Sequence, residues 1–126
     1  MKTITYKDDT YALIIDTKTT TGFITPDWMP QQVGILEYQS ESAVKRHTHI
    51  PMTRTLHNTT EVIYIVEGSC DLKVYAGNDL LGTASLTDGT LAIILCGGHE
   101  LIFKSFTKLI EIKQGPYHGL KEKIIY

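Results

Sequence analysis

The sequence predicts an all-β fold, a sandwich or closed barrel. Three observations carry that expectation. Helical periodicity is almost absent. Short runs of β-branched and aromatic residues recur along the chain. Gly, Asp and Asn separate them at close, regular spacing, which is the pattern of many short strands joined by tight turns.

Taken in order, Tyr11–Ile15 reads as the first strand, and Gly22–Ile24 as a short one closed by Thr25-Pro26-Asp27. Val33–Tyr38 follows, then Ala43–His49, stopped by Pro51. Glu61–Val66 ends at Glu67-Gly68, and Cys70–Tyr75 alternates polar and apolar residues as a half-buried strand does. Gly77-Asn78-Asp79 is a hairpin turn signal. Thr83–Leu86 leads to a second turn at Asp88-Gly89. Leu91–Leu95 and His99–Phe103 flank Cys96-Gly97-Gly98, and Leu109–Lys113 is the last strong strand. The stretch from Ile50 to Thr60 is the longest polar insertion between strong strands, and loops of that length often act as lids or binding loops.

At 126 residues the chain is expected to be one domain, 1–126, with enough buried surface for one sound core. Charges nearly balance, with a net charge of −2. Lys45-Arg46 and Lys121/Lys123 are too sparse for a phosphate-binding patch, so no nucleic-acid partner is expected. No apolar run approaches the ~20 residues of a membrane helix, so no membrane partner is expected either. The opening residues are polar and mixed in charge, unlike an export signal. A cytoplasmic protein is therefore expected, with Cys70 and Cys96 as free thiols.

The chemistry-bearing residues come in a fixed order. His47 and His49 lie two apart, so a strand presents both imidazoles on one face. Glu61 opens an apolar strand, where a charge is out of place unless paired or coordinated. His99 follows Gly97-Gly98 and starts another strand. Three imidazoles and a carboxylate suit Zn, Mn, Fe, Ni or Co. Each residue taken singly is more often structural than ligating; the argument rests on order and spacing.

That order resembles the two motifs of the cupins. The first stands here as His47-Thr48-His49, then Glu61 followed by six residues and Gly68. The second runs from Asp88-Gly89 to Gly97-Gly98-His99. The resemblance spans about 33–113, and the closing Glu111–Tyr117 also looks like the tail of small bacterial cupins. Two departures stand out. The spacer from His49 to Glu61 is longer than the family's, and Leu95 stands where the second motif usually has Pro, with one residue fewer before the histidine.

The resemblance implies a double-stranded β-helix, or jelly-roll, barrel. It implies a divalent transition metal held by His47, His49, Glu61 and His99. It further implies a small oxygenated substrate, such as a sugar, sugar nucleotide or hydroxy or keto acid. The enzyme reading is an isomerase, epimerase or dioxygenase in which Glu61 doubles as a proton shuttle. The alternative is a metal- or carbohydrate-binding barrel without turnover, and a metal-free sugar-nucleotide ketoisomerase is a third reading. Fold alone does not choose among these.

Arg54 and His57, in the inserted loop, are candidate contacts for an anionic substrate, against the plainer reading of solvated loop residues. Tyr64 lies three residues from Glu61 and should face the opposite side of its strand. Cys96 and Tyr38 read most simply as packed residues, His118 as a surface residue, and Trp28 as a cover for a barrel end or a partner. A homodimer is expected, with Tyr11–Ile15 as its candidate interface.

Overall fold

A computed structural model describes residues 1–126 and is all-β, with antiparallel ladders throughout. Ten strands form: β1 (Lys2–Tyr6), β2 (Asp9–Asp16), β3 (Gly22–Phe23), β4 (Gly34–Ile35), β5 (Glu61–Glu67), β6 (Ser69–Ala76), β7 (Asp79–Thr87), β8 (Thr90–Ile94), β9 (Gly98–Phe103) and β10 (Lys108–Lys113). No helix is long and apolar enough to cross a membrane.

The strands make a large sheet in the order β1-β2-β8-β5-β10, a small sheet in the order β7-β6-β9, and a two-stranded β3-β4 ribbon. The period of two decides how they stack. Ala12 and Ile14, Ile63 and Ile65, Ala92 and Ile94 point to one face of the large sheet. There they meet Cys70, Leu72 and Val74 of β6 and Ala84 and Leu86 of β7 in a single buried cluster. The alternate residues Leu13, Ile15, Val62, Leu91 and Ile93 form a second cluster on the outer face. Ile24, Val33 and Ile35, in and around the ribbon, pack over that second cluster. The large sheet is thus apolar on both faces, which is why β2 and β8 read as continuous hydrophobic runs.

One side of the sandwich is closed. Ile4 of β1 joins the inner cluster and packs beside Gly82 of β7, and the Lys2 ammonium donates to the Thr83 carbonyl at 2.7 Å. The opposite side is open. There β9 is the edge of the small sheet and β10 the edge of the large one, and neither has a second ladder partner.

Three expectations need correction. Ala43–His49 is not a strand: every residue from 36 to 59 is exposed and none lies in a ladder. The only backbone–backbone hydrogen bond of that stretch runs from the Ser42 N–H to the Gln39 carbonyl. Val33–Tyr38 shrinks to Gly34–Ile35 for the same reason, that the residues beyond find no partner strand. Tyr11–Ile15 is not at an edge; β2 lies between β1 and β8 with Ala12–Ile15 buried inside the chain, so it offers no interface. Cys70 and Cys96 are free thiols, and burial pushes both upward in pKa.

Candidate functional site

Register brings two of the singled-out residues together. Glu61 pairs with Ile94 of β8 and Lys113 of β10, so its side chain shares the inner face with Ile63 and Ile65. His99 pairs with Val74 of β6 and so faces inward from the other sheet. The two meet at the open side, with His99 Nε2 3.6 Å from Glu61 Oε2. Their side chains are 28% and 14% exposed, enough for a ligand to reach them and little enough for charge to matter.

A third group completes the cluster, and sequence reasoning missed its role. Glu111 pairs with Ile63 across β10 and β5, which puts it on the same inner face as Glu61. The two carboxyls are close enough to shift one another's titration. The His99 imidazole beside it holds the Glu61 carboxyl at about 2, working against burial and helped by Glu111 and Lys113. Its hydrogen bond to Glu61, together with burial, moves Glu111 the other way, upward. Lys113 lies 3.5 Å from Glu111. The two carboxyls are thus pushed apart in acidity, Glu61 downward and Glu111 upward. The signal for Glu111 was present: it is a carboxylate inside the apolar run Leu109–Ile112, as Glu61 is in its own.

The Gly97-Gly98 turn places His99. Gly97 has φ +78°, in the left-handed region that favours glycine. A Cβ there would collide with the Tyr75 carbonyl and the Tyr11 ring. A Cβ at Gly98 would collide with the Tyr126 hydroxyl. His99 consequently lines an open cleft of about 470 Å³ with Tyr75, Glu100 and the C-terminal Ile124, Ile125 and Tyr126. The Tyr75 hydroxyl donates to Glu100 at 2.7 Å in its wall.

His47 and His49 are elsewhere. Both are exposed on the unpaired segment, with ring centroids 5.3 Å apart, and His47 Nδ1 lies 2.8 Å from the Lys45 carbonyl. The two imidazoles are neighbours, but not as the same-face pair of a strand, and they lie away from Glu61 and His99. No three His, Cys, Asp or Glu side chains of one chain, Glu61, His99 and Glu111 included, stand so that together they could hold a metal ion. Within one chain the four expected ligands thus do not fit a single ion; they stand as two pairs. Arg54 and His57 lie on the same exposed segment. Tyr64 faces the outer cluster, away from Glu61, as its spacing requires. Cys96 is turned toward the Thr10 carbonyl, and Trp28 is 78% exposed.

No family model matches the chain, and neither a curated protein nor a solved structure matches it.

Proposed function

We propose that this chain is a metal-binding β-sandwich of cupin type that binds a small oxygenated molecule at the open side. The observation that carries the proposal is the inward pair Glu61 and His99, 3.6 Å apart at the mouth between two sheets. Glu61 is ionised at about 2, so it is ready to accept a cation at any ordinary pH. Glu111 lies beside it on the same inner face and helps to keep it ionised. His47 and His49 would supply the remaining donors, and a mixed imidazole and carboxylate set suits a divalent Zn, Fe, Mn or Ni. When bound, such an ion supplies Lewis-acid chemistry to carbonyl or hydroxy-acid oxygens. Of these residues only His99 also lines the 470 Å³ cleft, which is of the size that takes a sugar or small acid.

A second reading is favoured by the same geometry. Glu61 and the His99 imidazole, 3.6 Å apart with Glu111 on the same face, form an acid–base group that could move a proton on a bound sugar. Metal analysis of untagged protein, followed by a thermal-shift screen of sugars, sugar nucleotides and keto acids with and without chelator, separates the two. Ligand stabilisation that vanishes in chelator supports the metal reading. Stabilisation indifferent to chelator supports the acid–base one.

A further inference from the structure

The segment 36–59 and the open side of the sandwich each lack what the other offers. The segment has exposed residues throughout and one internal backbone–backbone hydrogen bond, although both its ends are held. Thr21 donates to Glu37 at one end. At the other, the Thr60 N–H donates to Gln114 and the Thr60 hydroxyl to Gln31. The open side has two strand edges, β9 and β10, with backbone groups free to accept another strand.

Apolar surface is bare on both. Leu36, Tyr38, Val44, Ile50, Met52 and Leu56 are between 44% and 83% exposed on the segment. On the open side Phe103, placed on the inner face by its pairing with Cys70, is 53% exposed, and Phe106 between β9 and β10 is 79% exposed. Leu101 and Leu109 pack the inner cluster from these two edges and remain only partly covered. Near its histidines the segment carries Lys45, Arg46 and Arg54 and the mouth carries Glu61, while Glu37 and Glu41 of the segment and Lys104, Lys108 and Lys113 of the two edges offer further groups of opposite sign.

We propose that segment 36–59 of one chain seats against β9 and β10 of a second copy, reciprocally. His47 and His49 of one protomer then meet Glu61 and His99 of its partner. The segment pairs with none of its own sheets over its whole length, while Thr21 holds Glu37 at one end and Gln114 and Gln31 hold Thr60 beyond the other. An arm in that state is poised for exchange, and a two-fold exchange closes both open sides with one set of contacts. The ligand half of this inference rests on the metal-binding reading; the exchange of arms does not.

Two measurements on the wild-type chain separate them. Nitrogen-15-labelled and unlabelled protein are unfolded together, refolded in chelator, and treated with a lysine-reactive cross-linker. Exchange predicts a dimer by light scattering and cross-linked peptides joining Lys45 to Lys104 or Lys113 in mixed-isotope pairs. A monomer, or Lys45 cross-links to those lysines only in same-isotope pairs, overturns the exchange. Metal is then added to a refolded mixture of His47→Ala/His49→Ala chains and Glu61→Ala/His99→Ala chains. If wild type binds metal, mixed dimers should recover about half its metal per chain, and an equimolar randomly paired mixture about a quarter, because each mixed dimer has one intact site and half of the dimers are mixed. A mixture as empty as either variant alone overturns completion of the site by a partner. Mixed-isotope cross-links in a wild type that binds no metal uphold the exchange and refute the metal reading alone.

Discussion

Gly97→Ala tests whether the turn before His99 is as constrained as its geometry implies. Two effects add. An alanine at φ +78° costs about 1–2 kcal/mol in the left-handed region. Loss of glycine's freedom in the unfolded chain returns about 0.4–1 kcal/mol. The new Cβ also strikes the Tyr75 carbonyl and the Tyr11 ring. The carbonyl belongs to a strand paired on both sides, so relief requires β6 or β9 to shift. Overpacking of this kind adds about 1–3 kcal/mol. The total is about 2–4 kcal/mol, a fall in Tm on the order of 10 °C for a chain of this size. Gly77→Ala is the control. Its φ is +57° with nothing within 4 Å of the new Cβ, so only the backbone effect remains, about 1 kcal/mol or less. Urea unfolding of both variants, read by fluorescence at equal m-value, gives the two costs directly. Equal costs for Gly97→Ala and Gly77→Ala would refute the collision argument and with it the account of how His99 is held.

Ile63→Ala should cost about 2–5 kcal/mol, because Ile63 is fully buried between the sheets, whereas Ile110→Ala, at 48% exposure, should change stability by about 0.5 kcal/mol or less; urea midpoints check both. Tyr75 should ionise above its ordinary value of 10.0, because its hydroxyl donates to Glu100, and Glu100→Gln should lower it, as read by the tyrosinate absorbance difference. The sign follows: a raised pKa gives stability that is complete below pH 10 and is lost as the pH rises through the folded-state value. Alkaline unfolding should therefore differ between wild type and Glu100→Gln, and coincide at neutral pH apart from a constant offset.

The sequence made the paired strands legible and left the unpaired ones ambiguous. Glu61–Val66, Cys70–Tyr75, Leu91–Leu95, His99–Phe103 and Leu109–Lys113 each fall within a residue of the observed ends, because alternation and the Gly turns are local signals. β1 was missed, since Lys2–Tyr6 buries only Ile4 and reads as polar. Ala43–His49 has strand composition but no ladder in this chain, and a ladder needs a partner that local pattern cannot name. The same limit applies to the site. Parity turned Tyr64 away from Glu61, whereas His47 and His49 are neighbours with no strand to set their parity. The Glu61–Glu111 contact depends on the β5–β10 register, which is set by residues some fifty positions apart.

The most direct test is metal content. Untagged wild-type protein, analysed by mass spectrometry of its metals after dialysis, should carry about one divalent transition metal per chain. His47→Ala/His49→Ala and Glu61→Ala/His99→Ala should each be nearly empty, while circular dichroism shows the same strand content. Wild-type protein that holds no metal after supply of Zn, Fe, Mn and Ni, or variants that hold as much as wild type, would contradict the assignment.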